Sequence, residues 1–204
     1  MNRHDLSALL GSRICHDLVS PVGAISNGLD LLAEIVPAGL EEEMSLIKQS
    51  SDRATDLLKF YRIAFGAADG ESTIGCSSFR DQASAVVESG KTQWQWSGLD
   101  EGDMPRTVAR LLAVMVLCAR SATQLGGNVI VVRSGGDTLG VAAESDRLSL
   151  SEAQSTLMDG GTPAEEVAAR DVEFSLLMPW AEEAGLRLQN SRGANGMRIE
   201  ARRL

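Results

Sequence analysis

The stretch Cys15-His16-Asp17-Leu18-Val19-Ser20-Pro21 decides how this chain is read. It holds one of the two histidines in the sequence, followed at once by an acid and, five positions on, by a proline. It lies inside a long pattern, from about Asp5 to Val36, whose apolar residues recur every three or four positions. That period belongs to a helix, in which successive side chains turn by about 100°. Ile14, Leu18, Pro21, Ile25, Leu29 and Leu32 fall on one apolar stripe. Ser12, His16, Ser20, Gly23, Asn27, Asp30 and Glu34 fall on a second stripe of polar or small residues. The spacing therefore predicts that His16 faces outward across a lane of small side chains. Pro21 removes one backbone hydrogen bond and predicts a kink just after His16.

Working outward, Pro37-Ala38-Gly39 breaks the first helix, and a second is expected over about Glu41 to Phe65. Leu46 or Ile47, Ser50, Ala54, Leu57 or Leu58, Tyr61 and Phe65 keep helical spacing there. Two long helices joined by a short loop make an antiparallel hairpin. Alone it cannot cover both apolar stripes, so pairing with a second copy into a four-helix bundle is expected, which makes the chain a homodimer. Residues 1–66 form this unit, and the small, Gly-rich residues 67–77 are read as a linker.

Residues 78–204 change in period. Helices are expected at Ser78–Ser89, Pro105 to about Leu125, Ser151–Met158 and Ala164–Ala184, the last disturbed at Pro179. Strands are expected at Thr92–Trp96, Asn128–Arg133, Thr138–Ala143, Leu186–Asn190 and Gly196–Ala201, with a turn at Ser134-Gly135-Gly136-Asp137 and another near Arg192-Gly193-Ala194-Asn195. Helices on one face of a mostly antiparallel sheet give the fold class α+β.

Composition narrows the function. A chain of 204 residues with net charge −9 has no electrostatic footprint for a phosphate backbone, so nucleic acid is not an expected ligand. Cys15, Cys76 and Cys118 are odd in number and far apart, which gives no metal or disulfide pattern. No signal-peptide core opens the sequence, and its most apolar run, Leu111 to Ala119, is about half a membrane span. A soluble, cytoplasmic protein with no membrane partner is expected.

His16 can act as a nucleophile, because its ordinary pKa of about 6.5 leaves much of the imidazole neutral. Attack on a phosphoryl group needs one free ring nitrogen and an acceptor for the other N–H. Asp17 is the nearest candidate for that orienting and activating acid. Ser20, one turn on, is a second candidate partner, and Arg13, one turn back, is placed to steady phosphoryl charge. The helix pattern by itself is also satisfied by a surface histidine without a role.

His16-Asp17-Leu18-Val19-Ser20-Pro21 resembles the H-box of histidine kinases, and the order of a helical hairpin and then an α+β domain resembles their dimerisation and ATP-binding units. The ATP-binding parts of that pattern are missing. Cys118 stands where a metal-holding Asn is expected, Glu144-Ser145-Asp146-Arg147-Leu148 lacks the glycines of the nucleotide turn, and Ala169 to Phe174 replaces the Gly-rich lid. Gly160-Gly161 alone is a loop signal. With Gly28-Leu29-Asp30-Leu31-Leu32 and Leu57-Leu58-Lys59-Phe60-Tyr61-Arg62-Ile63-Ala64-Phe65-Gly66, the chain is similar over nearly its whole length to the ChpT-like histidine phosphotransferases of alphaproteobacteria.

The resemblance implies a homodimer with a central four-helix bundle and a degenerate histidine-kinase-ATPase-like α/β sandwich that binds no ATP. It implies that His16 takes a phosphoryl group from the receiver aspartate of a hybrid histidine kinase. His16 then passes it to the receivers of downstream response regulators, with Mg²⁺ held in the receiver and no cofactor or metal in this chain. The lane at Ser12, Gly23 and Asn27 would be the docking surface. Two other readings share the fold: a non-catalytic dimeric adaptor for response regulators, and a divergent ATP-dependent histidine kinase.

Overall fold

The structure is a computed structural model that describes residues 14, 17, 18, 20–25, 28, 41–66, 72–88, 90–135, 138–164 and 166–203. Its centre follows from one segment. Arg106–Ala122 is a helix, α3, with no glycine or proline in its 17 residues and apolar side chains on every side. A helix of that kind is stable only when enclosed. Every residue from Val108 to Ala119 is buried. Pro105 precedes its first turn, where a fixed φ and a missing N–H do no harm. At its other end the Thr123 hydroxyl donates to the Ala119 carbonyl oxygen at 2.8 Å.

The enclosure is built on one side by a five-stranded sheet. Its strands are β2 (Thr92–Ser97), β4 (Gly127–Ser134), β5 (Thr138–Glu144), β6 (Leu186–Arg192) and β7 (Gly196–Arg203), in the order β2-β4-β5-β7-β6. Only β2 and β4 pair in parallel; the remaining pairs are antiparallel. Alternation sorts the two faces. Val129, Val131, Leu139, Val141, Ala143, Met197, Ile199 and Ala201 are buried against the helices. Registers such as Val131↔Val141 and Val141↔Ile199 keep these side chains on one face. Trp94 and Trp96 lie on that face too, stacked with centroids 5.9 Å apart. Gln93, Gln95, Ile130, Arg187, Arg198 and Arg202 are exposed on the other.

On the other side α3 packs against α1 (Glu41–Phe65), α2 (Cys76–Val87) and α5 (Val172–Glu183). The extents of α1, α2, the two hairpins and α4 (Glu152–Met158) agree with the periodicity of the sequence to within three residues. Ser151 and Gln154 close a capping box at the start of α4.

Two local features depart from the reading of the sequence. Residues 73–77 of the stretch read as linker are in regular structure: β1 (Thr73–Gly75) pairs antiparallel with β3 (Asp103–Pro105) in a second, two-stranded sheet, and Cys76 already begins α2. Strands of three residues carry too little alternation to be seen in advance. The helix expected from Ala164 is also shorter. A single 3-10 turn at Ala169–Asp171 leads into α5 at Val172, and the described residues from Gly161 to Ala168 are not helical. The Asp171 carboxylate accepts a buried hydrogen bond from Gln154 Nε2 at 2.8 Å, which ties the turn to α4; Asp171 stands at the N-cap position of α5 without a side-chain capping bond.

The α/β layer is fastened to α1 through Trp180. Its indole N–H donates to the Ala64 carbonyl oxygen at 3.1 Å, and the Arg110 guanidinium lies 3.5 Å over its ring. Arg110 Nη1 also donates to both carboxylate oxygens of Glu183, at 2.9 and 3.1 Å. Burial lowers the pKa of Arg110, and the Glu183 carboxylate opposes that shift. Removing the partly exposed acid strands a largely buried cation. Glu183→Ala is therefore expected to destabilise the fold by about 2 kcal/mol, read as a lowered midpoint in thermal unfolding.

Candidate functional site

Of the residues singled out from sequence, Asp17, Ser20 and Gly23 are described, whereas Ser12, Arg13, His16 and Asn27 lie outside the described residues, as do Cys15 and the break at Pro37-Ala38-Gly39. Residues 14, 17, 18, 20–25 and 28 are helical. Ile14 and Leu18 pack on the core, Pro21 is buried and Ser20 is exposed, which is the division into stripes expected from spacing.

This segment touches α1 in antiparallel order. Asp17 Oδ2 accepts a hydrogen bond from the Tyr61 hydroxyl near the end of α1. Gly28 lies against Ile47 near its beginning, so closely that an added Cβ would stand 2.4 Å from Ile47 Cγ1. Between these contacts, Ser20 and Pro21 line a cleft of about 620 Å³ with Gln49 and Asp56 of α1 and Ala85 of α2. An added Cβ at Gly23 would meet nothing within 4 Å, so that position is open to an approaching partner.

Tyr61 is the residue that sequence reasoning missed. It was counted as an apolar position, which its burial at 3% exposure and its ring contact with Phe65 justify. Its hydroxyl adds a polar end, and a buried tyrosine hydroxyl normally finds a partner. That it is the sole tyrosine in the chain, on the helix opposite the acid, was the available signal.

A second cleft, of about 460 Å³, is lined by Asp17, Arg53, Lys91, Trp94, Arg120 and Arg170 among others. Behind its wall the Ser121 hydroxyl donates to the buried Glu173 carboxylate. Cys118 is fully buried beside this region, and burial first, then the charge of Glu173, push its thiol well above the usual range. A thiol so placed stays protonated and unreactive.

Similarity to known proteins adds to this geometry. A family model described as the histidine phosphotransferase C-terminal domain matches residues 79–196. Over 189 residues the chain is 36% identical to the protein phosphotransferase ChpT of Brucella abortus, covering 90% of this chain and 88% of the relative. The chain belongs to the histidine phosphotransferase family. The phosphotransferase also superposes on a solved structure described as a bacterial phosphotransferase, with a TM-score of 0.83 and 33% identity over 99% of this chain and 98% of the other. The structural superposition spans nearly the whole chain, so it takes in the segment carrying Asp17 as well as the α/β layer.

The contact at Gly28 is open to a direct test. Helix propensity alone favours Gly28→Ala by about 1 kcal/mol. The collision with Ile47 outweighs that gain, so the variant is expected to lose about 1–2 kcal/mol in denaturant unfolding. Ile47→Ala in the same chain makes room for the methyl group, and the two losses should then fall short of additivity.

Proposed function

We propose that this phosphotransferase is a relay intermediate that carries a phosphoryl group on His16 between receiver aspartates. The donor is the receiver of a hybrid histidine kinase, and the acceptors are the receivers of response regulators. The observation that carries the reading is the anchored acid: Asp17, next in sequence to His16, is tied to the buried Tyr61 of α1 in a chain of the histidine phosphotransferase family.

The chemistry balances without a cofactor in this chain. A neutral imidazole nitrogen of His16 attacks the phosphorus of the aspartyl phosphate. An N–P bond forms, the P–O bond to the aspartate breaks, and a free carboxylate leaves. The other ring N–H needs an acceptor that orients the imidazole, and Asp17 is assigned that role, with Ser20 and Arg13 supporting. Reversal onto a second receiver returns the histidine to its starting state. Mg²⁺ on the phosphoryl oxygens belongs to the receiver, so neither ATP nor a metal is required of this chain.

In the same reading residues 1–66 form the dimerising and phosphotransfer hairpin, 67–77 the connection and 78–204 the ATPase-like layer. Self-association is supported by apolar side chains left in solvent on the helical pair: Val22 is 55% exposed, Leu58 51% and Leu46 42%. A second copy covering them completes a four-helix bundle. Ser12, Gly23 and Asn27 form the lane along which a receiver approaches. Among the described residues no helix is long and apolar enough to cross a membrane.

The protein is expected to take label from a phosphorylated receiver and not from ATP alone, and His16→Ala should abolish the label. Label from ATP alone would refute the reading, and label that survives His16→Ala would place the acceptor elsewhere. Tyr61→Phe, which keeps the ring and loses one hydrogen bond to a carboxylate, should slow transfer about tenfold. Light scattering at micromolar concentration should give the mass of a dimer.

A further inference from the structure

The last turn of α1 is gripped from two sides. Tyr61, Ala64 and Phe65 share one face of that turn, since positions three and four apart lie together on a helix. On one side Asp17 accepts the Tyr61 hydroxyl. On the other the Trp180 indole N–H donates to the Ala64 carbonyl oxygen at 3.1 Å. That carbonyl is among the last four of α1, whose intrahelical partners would lie past the helix end at Phe65. The indole therefore caps the turn that carries Tyr61. Its ring is held in its own right, with the Arg110 guanidinium 3.5 Å over it and Glu183 accepting two hydrogen bonds from that cation. Arg110 belongs to the enclosed α3. The Tyr61 ring is buried, with its centroid 5.3 Å from that of Phe65. Packing fixes that ring, so the place of its hydroxyl follows the backbone of the turn.

We propose, on the basis of the relay reading, that Trp180 is a positioning residue for phosphoryl transfer. It acts through Tyr61 on Asp17, the acid assigned to orient His16, and touches none of the reacting atoms. A line of contacts runs from α3 through Arg110 and Trp180 to the end of α1, and across the phenol to the segment that carries Asp17. Attack on phosphorus demands alignment, and a small displacement of an orienting group costs rate out of proportion to its size. The α/β layer thereby has a task that needs no nucleotide. It holds the helix end against which the acid is set.

The test separates positioning from a general loss of stability. Trp180→Phe keeps a ring and removes the N–H. Trp96→Phe makes the same change where the indole donates to Glu88 at 2.8 Å, away from α1. Single-turnover transfer from a saturating phosphorylated receiver should slow about threefold in Trp180→Phe and stay unchanged in Trp96→Phe. Kd for the receiver loaded with Mg²⁺ and beryllofluoride should be the same in both variants and the wild type. Adding Trp180→Phe to Tyr61→Phe should slow transfer no further, because both act along one line. Tyr61 is the sole tyrosine, so labelling tyrosine Cζ with ¹³C gives one signal that reads the Asp17 contact without any receiver. In Trp180→Phe that signal should move toward its position in Asp17→Asn, and in Trp96→Phe it should stay. Thermal unfolding checks that each variant is folded at the assay temperature. Glu183→Gln removes the charge that holds Arg110 over the indole; as the second variant it should move the signal the same way. An unmoved signal, an equal rate loss in Trp96→Phe, a loss confined to Kd, or losses that multiply with Tyr61→Phe overturns the proposal. A wild-type chain that takes no label from the receiver overturns the relay reading and this role with it, whereas normal label with an unmoved signal overturns the role of Trp180 alone.

Discussion

Enclosure of α3 is the constraint on which the rest of the structure depends. A helix that is apolar on every side leaves no face for solvent, so the sheet must cover one flank and α1, α2 and α5 the other. The inner residues of β4, β5 and β7 are small or branched apart from Met197. The same demand brings α1 onto the α/β layer, since the C-terminal half of α1 buries Leu57, Phe60, Ile63 and Ala64 there. The helix that shelters α3 also presents Tyr61 to Asp17.

The polar contacts that matter lie on the margins of that core. Trp180 is the clearest case, because its ring takes the cation of Arg110 while its N–H reaches the backbone of α1. Asp17 and Tyr61 make a similar joint, with an apolar ring inside and an oxygen at the edge. Each uses an amphipathic aromatic to join two elements without leaving a polar atom stranded.

Legibility in the sequence followed the range of the interactions. α1 was readable because a 25-residue helical period is a local signal, and both hairpins were readable because their turns lie between their own strands. β1 and β3 were not, because pairing across about thirty residues joins segments of three residues each. The start of α5 was missed for a related reason. Ala164 to Arg170 is rich in good helix formers, and a buried hydrogen bond from Gln154, far back in the chain, decides otherwise. Within the site, the histidine, its acid and the proline were visible as a motif. The tyrosine that holds the acid and the cations of the cleft were not, since they meet only when the chain is folded.

The parallel pairing of β2 with β4 has a consequence for how the chain reaches this state. β4–β5 and β6–β7 close over short turns and can form early, at small cost in loop entropy. β2 joins β4 only across β3 and the whole of α3, so its docking waits for the central helix to be in place. The strand that carries Trp94 and Trp96 also lies at an edge of the large sheet, held by β4 alone, and so opens more readily than the central strands. In hydrogen exchange its amides should lose protection below the free energy of global unfolding, while those of β5 hold to the end.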